Sequence, residues 1–313
     1  MGSLDGRVAI VTGAGRGLGR AHALLLAAEG AAVVVNDPGV SGDGQGADAA
    51  PAQQVVAEIE KNGGRAVASL DSCASWAAAE KLVAQAVDTF GQLDILVNNA
   101  GILRDRMSWK MTEGEWDAVI EVHLKGHFAP SRFAAAYWRE QSKSSGGPVY
   151  GRIINTSSES GYFGNVGQVS YATVKAGIVG MTVTMARELE STGVTVNAIA
   201  PRARTRMTTG SISTYPQPVE GQFDARAPEN ISPVVAWLAG PDAGHISGKV
   251  FACYGGAVDL QTPIEAEVHL SVGERRLTMA DLVERSPELF TSSGRPAGVA
   301  PIPGGIGGPG TGG

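Results

Sequence analysis

Tyr171 and Lys175 stand four residues apart in the run Tyr171-Ala172-Thr173-Val174-Lys175, and Ser158 stands thirteen residues before the tyrosine. On a helix, side chains four apart share a face. A cation beside a phenol favours the phenolate and lowers a pKa that is ordinarily about 10. Tyr171 is therefore a candidate general base, with Lys175 as its tuner. Ser158 follows an apolar stretch that reads as a strand and could bind the reacting oxygen. Ser157 is its rival, because neighbours on a strand face opposite ways; the thirteen-residue spacing favours Ser158. A surface helix carrying an incidental Tyr–Lys pair is the alternative, and the rest of the chain must decide.

The elements that would position these residues begin with a β-branched run, Arg7 to Thr12, bounded by glycine. It reads as a buried parallel strand. Thr12-Gly13-Ala14-Gly15-Arg16-Gly17-Leu18-Gly19 follows, and then an alanine- and leucine-rich helix closed near Gly30. Glycines between a strand and a helix permit a tight turn and close approach of backbone N–H groups to a pyrophosphate, which the helix N-terminus also favours. A second strand, Ala32 to Val35, ends at Asn36-Asp37, where an acid suits the hydroxyls of an adenosine ribose and repels a 2′-phosphate. NAD is thus favoured over NADP, with Arg16 as the counter-argument.

Further along, the periodicity predicts strands at 65–70, 93–97, 152–156, 195–199 and 248–254. Helices are expected at 55–61, 76–90, 115–140, from Tyr171 to about Glu190, and at 232–239. Strict alternation of this kind predicts an α/β fold, a doubly wound parallel sheet with right-handed crossovers. Residues 38–51 read as an inserted loop, and 201–228 as a loop near the site. Beyond the expected 1–260 domain, 261–291 reads as an extension with a half-exposed strand at 265–270 and a helix at 279–285. Residues 292–313 form a tail rich in Gly and Pro.

Composition narrows the function. The 313 residues carry a net charge of −6, which argues against nucleic acid as the main partner. No apolar run is expected to span a membrane. Two cysteines, Cys73 and Cys253, make no disulfide framework, and no CxxC or HExxH spacing points to a metal. No secretion signal or peroxisomal address is read at the ends, so a cytoplasmic enzyme is expected.

Four stretches together resemble the short-chain dehydrogenase/reductase family in its one-domain form. They are the Thr12–Gly19 loop, Asn98-Asn99-Ala100-Gly101, Ser158, and the Tyr171–Lys175 pair, and they span about residues 5 to 260. Longer identities at 33–37, 98–106, 122–126 and 151–158 are similar to the (3R)-hydroxyacyl-CoA dehydrogenase, or 17β-hydroxysteroid dehydrogenase type 4, branch in a stand-alone bacterial form. The resemblance implies a Rossmann-type sheet and reversible hydride transfer between NAD and a secondary alcohol or ketone. The substrate would be bulky and apolar, a 3-hydroxyacyl-CoA or a 17β-hydroxysteroid. The runner-up is an NADPH-dependent 3-oxoacyl-carrier-protein reductase, and a non-catalytic nucleotide-binding scaffold is the contrasting class.

The resemblance also implies roles. Gly13, Gly17 and Gly19 would hold the pyrophosphate and Asp37 the ribose, with Arg16 and Leu18 also in the cofactor site and Asp71 and Ser72 facing the adenine. Asn99 and Gly101 would line the cofactor, Ser158 would bind the substrate oxygen, Tyr171 would exchange its proton, and Lys175 would also bind the nicotinamide ribose. Two positions depart from the family pattern. His123 stands where an Asn usually supports the lysine, so it is either a catalytic participant or a core histidine. Thr205 follows Arg202-Ala203-Arg204 one residue closer to Pro201 than usual, which puts its contact with the nicotinamide in doubt. A homotetramer or homodimer is implied.

Overall fold

The computed structural model describes residues 2–39, 48–204, 218–219, 221–262 and 269–290. The strands are β1 (Val8–Thr12), β2 (Ala32–Asn36), β3 (Arg65–Ser69), β4 (Ile95–Asn98), β5 (Gly151–Thr156), β6 (Val194–Arg202), β7 (Val250–Tyr254) and β8 (Ala257–Gln261). Among the described residues they form one sheet in the order β3-β2-β1-β4-β5-β6-β7-β8. All neighbours are parallel except β7 and β8. The helices are α1 (Gly17–Ala28), α2 (Ala50–Lys61), α3 (Trp76–Phe90), α4 (Glu113–Val119), α5 (Gly126–Ser145), α6 (Ser160–Phe163), α7 (Val169–Glu188), α8 (Ser232–Ala239) and α9 (Met279–Arg285). This is a Rossmann-type doubly wound sheet. The chain reverses direction across the sheet between β1 and β4, and the crevice beyond their C-terminal ends is where ligands bind in such folds.

Alternation along each strand sends successive side chains to opposite faces. Ala9, Val11, Val33, Val35, Ile95 and Val97 pack on one face with Leu26, Val55 and Ile59. Val8, Ile10, Val34, Leu96, Ile153 and Val196 pack on the other with Leu82, Phe133, Trp138 and Met185. Full burial of each large aliphatic side chain contributes about 1.5–3 kcal/mol, so both faces must be covered, and the crossover helices cover them. Trp138 also donates its indole N–H to the Leu93 carbonyl at 2.6 Å.

Several expectations are corrected. The long helix expected at 115–140 is two helices joined by a π-helical turn, Ile120–Lys125. α2 starts at Ala50, earlier than expected, with Pro51 in its first turn, where its missing N–H is not needed. β8 was not foreseen; its outward residues Val258 and Leu260 are exposed, so no burial pattern marks it. Helix α7, 20 residues long, is apolar enough by length and composition to cross a membrane, although no such run was expected. Here its buried residues, Ser170, Val174, Lys175, Ile178, Thr182, Met185 and Ala186, face the protein interior.

The chain divides into two compact units, the first ending at Gln261. In the second, α9 begins with a capping box between Thr278 and Asp281. Of the strand expected at 265–270, residues 265–268 lie outside the described residues, and His269 and Leu270 form no strand. The tail at 292–313 and most of the expected loop between 205 and 220 also lie outside them.

Candidate active site

The glycine loop is built to bring backbone close to backbone. Gly13 and Gly17 have φ of 63° and 54°, a region that side-chain-bearing residues rarely adopt. A Cβ on Gly19 would lie 2.2 Å from the Gly13 carbonyl oxygen. Asn99, just after β4, donates from its amide to the carbonyls of Thr12 (3.0 Å) and Gly13 (3.2 Å), while its own N–H donates to the Thr12 hydroxyl. Asn99 therefore ties the loop to the neighbouring strand.

No side chain caps the N-terminus of α1, and its first turn holds no acid. Its leading N–H groups and helix dipole are thus directed at the crevice, which fits a pyrophosphate. Leu18 packs against the core. Arg16 lies 3.8 Å from Asp48, with about a third of its side chain exposed. Asp37 is nearly buried, its two oxygens accepting from Gly15 N–H at 2.8 Å and Gly39 N–H at 2.7 Å. Asp71 and Ser72 sit on the same rim, where Asn36 donates to the Asp71 carbonyl.

Across the crevice, β5 delivers the second group. Ser157 is buried and donates its hydroxyl to the Lys175 carbonyl at 2.9 Å. Ser158 faces the other way, beside the Tyr171 phenol, and its hydroxyl accepts from Ser160 N–H at 3.2 Å. Gly161 allows α6 to lie against α7, since a Cβ there would meet Ala176 N at 2.7 Å. Lys175 is 2% exposed and donates to the Thr156 carbonyl at 2.6 Å, with its Nζ 5.3 Å from the centre of the Tyr171 ring.

Burial pushes the Tyr171 phenol up to about 12; the Ser158 hydroxyl opposes that rise and the Asp105 charge adds to it. Burial likewise pushes Lys175 down to about 7. The expectation of a phenol below its ordinary value is therefore not met by the chain on its own. Desolvation is the largest cause, and residue spacing does not reveal it.

His123 lies in the π-helical turn, fully buried, with its ring edge-on to Tyr171 at 5.3 Å. Its Nε2 is 2.7 Å from the Ile102 carbonyl oxygen and 3.0 Å from the Ile102 N–H, and the tautomer decides which of the two it meets. A Cβ on Gly101 would strike the His123 ring at 2.4 Å. His123 thus fills the space between the Asn99–Ile102 turn and Tyr171. Burial first, and then the Lys175 charge, press His123 down to about 3, so the ring is neutral. His127 is buried beside it and shifted in the same direction for the same reasons.

Thr205 lies outside the described residues. Arg202 and Arg204 make two-pronged ion pairs with Glu159 and Asp224. The Glu159–Arg202 pair has no local sequence signal. Only the register of β5 on β6, with Thr156 opposite Ile199, brings the two together. Trp109 and Trp116 are exposed, and Trp109 lines a shallow cleft with Met107, Val166 and Val169. Both cysteines are buried and free.

The family model for short chain dehydrogenases matches residues 7–215. The chain is 48% identical over 273 residues to hydroxyacyl-CoA dehydrogenase ChsB1 of Mycobacterium tuberculosis, covering 86% of this chain and 83% of that protein. It is 46% identical over 234 residues to peroxisomal multifunctional enzyme type 2 of Mus musculus, covering 75% of this chain but only 30% of that longer protein. Among solved structures, a short chain dehydrogenase from Mycobacterium avium superposes with a TM-score of 0.84 at 49% identity, over 97% of this chain and 100% of that one.

Proposed function

We propose that this chain, which belongs to the short-chain dehydrogenase family, oxidises the secondary alcohol of a 3-hydroxyacyl-CoA with NAD. It is an oxidoreductase acting on CH–OH groups and uses a nicotinamide cofactor. The observation that carries the reading is the meeting of Ser158, Tyr171 and Lys175 on the rim opposite the glycine loop. Similarity to proteins named hydroxyacyl-CoA dehydrogenase and multifunctional enzyme type 2 supports the substrate class. The Asp37 carboxylate at the end of β2 supports NAD, because it would repel a 2′-phosphate.

Gly13, Gly17 and Gly19 would give a pyrophosphate its close approach and Asp37 would receive the ribose; the nicotinamide held there would supply the hydride acceptor and, in its oxidised form, a positive charge. Ser158 donates a hydrogen bond to the substrate oxygen. Tyr171 acts as a phenolate, and positive charge beside it, on Lys175 when protonated and on the oxidised nicotinamide, favours that form. The phenolate then takes the hydroxyl proton as the carbonyl forms. His123, neutral, props the ring of Tyr171 against the Asn99–Ile102 turn.

The test is a substrate panel of 3-hydroxyacyl-CoAs, 17β-hydroxysteroids and simple alcohols, each with NAD and NADP, on the unaltered chain and on Asp37→Ala. The highest kcat/KM is expected for a 3-hydroxyacyl-CoA with NAD, with the NAD preference narrowed in Asp37→Ala. A higher kcat/KM for a steroid alcohol would overturn the substrate, and an unchanged cofactor ratio would overturn the role of Asp37.

A further inference from the structure

Ser158 follows the last residue that the sheet holds. Ser157 donates its N–H to the Ile199 carbonyl at 2.7 Å, the last bond from β5 toward β6, and its hydroxyl is tied to α7. After that the chain turns away, and Glu159 starts the short α6 turn, its carbonyl accepting from Tyr162 and Phe163. The side chain of Glu159 reaches back to the end of β6. There Arg202 Nε and Nη2 each donate to one of its carboxylate oxygens. The two side chains are 11% and 20% exposed, so neither charge is left to bulk water, and removing one partner strands the other.

Arg202 is itself seated from behind. Its guanidinium lies over the Tyr254 ring at 4.5 Å, opposite in register on β7, and Tyr254 donates its hydroxyl to Asp259 on β8 at 2.9 Å. A continuous line of contacts thus runs from the β7–β8 hairpin through Tyr254, Arg202 and Glu159 to the residue beside Ser158.

We propose that Glu159 and Arg202 are positioning residues that clamp the Ser158 turn to the end of β6. The inference rests on the reading of Ser158 as the group that binds the reacting oxygen. Ser158 sits between two fixed points, Ser157 tied to β6 and α7, and Glu159 tied to β6 through Arg202. A planar fork matched to a carboxylate sets the distance and the angle, which the point charge of lysine cannot do. Misplacement of a reacting group by about 1 Å can cost on the order of 100-fold in rate, so the clamp acts on kcat and not on cofactor binding.

The test uses R202M, R202K, E159Q and E159Q/R202M in the full chain, with two readouts. The first is amide hydrogen exchange over residues 158–163 without cofactor, with β5 as the internal control of folding. Exchange of the turn is expected to rise about tenfold in R202M while β5 stays protected. The second is steady-state oxidation of whichever 3-hydroxyacyl-CoA or 17β-hydroxysteroid the unaltered chain turns over. There kcat is expected to fall about tenfold in R202M with KM for NAD within about twofold, R202K falling between, and E159Q/R202M no worse than R202M because the two act as one unit. Unchanged exchange, or faster exchange with unchanged kcat, would overturn the clamp. Tyr171→Phe in the same assay separates the two levels. If it is inactive and R202M is not impaired, only the clamp fails; if it stays fully active, the reading of the site fails.

Discussion

Two opposed shifts define the site at the scale of single residues. Tyr171 is driven up to about 12 and Lys175 down to about 7, each by burial. Tyr171 must lose its proton before it can act as a base, and with the phenol that high only a small fraction is ionised at neutral pH. The rate of alcohol oxidation should then follow the phenolate. kcat/KM is expected to rise with pH, by up to about tenfold per unit, between pH 5.5 and 9. A pH–rate profile from 5.5 to 9 checks this; a flat profile across that range would contradict it. The sequence showed that Tyr171 and Lys175 share a helix face, because four-residue spacing is a local property. It could not show the sign of the tyrosine shift, because burial depends on what α7 packs against.

At the scale of elements, the loop after β1 and the turn after β4 act as one part. Thr12 and Asn99 bind them side by side across the point where the sheet reverses. Asn99→Ala removes two donors to loop carbonyls, each worth about 0.5–1.5 kcal/mol. The expected result is an NAD dissociation constant raised about tenfold, read by fluorescence or calorimetric titration, with the melting temperature lowered by a few degrees. An unaltered constant would mean that the loop keeps its shape unaided.

The same scale explains what the sequence hid. Strands β1 to β7 were legible because each is a short run between turns, largely buried in all but the half-exposed β3. The π-helical turn was not, since His123 falls within an unbroken helical pattern and one extra residue per turn leaves no mark in composition. Glu159 and Arg202 meet only through the pairing of β5 with β6, and β8 through pairing with β7. Long-range register of that kind is not written in any local window.

For the molecule as a whole, the buried polar groups link stability to pH. His22 is fully buried against Ser232 and held down to about 3, as is His123 beside Lys175, and His127 is shifted the same way. Unfolding exposes these rings, which then take up protons at their ordinary value of about 6.5. Between about pH 6.5 and 3 the unfolded chain therefore binds more protons than the folded one, and stability falls as pH is lowered through that window. His22 and His123 each contribute up to about 1.4 kcal/mol per pH unit there. Denaturant titrations at pH 7, 6, 5 and 4 should show a steady loss. A free energy of unfolding that is constant from pH 7 to 4 would mean that these rings charge without cost.

In the proposed reaction, both cores, both rims of the crevice and the sheet reversal serve to bring one phenol to one carbinol oxygen. The measurement that reaches this claim most directly is single-turnover and steady-state oxidation by Tyr171→Phe, with NAD affinity measured on the same preparation. The expected result is a loss in kcat on the order of 10²- to 10⁴-fold with NAD binding unchanged. A variant that binds NAD and keeps most of its turnover would show that the proton leaves by another route.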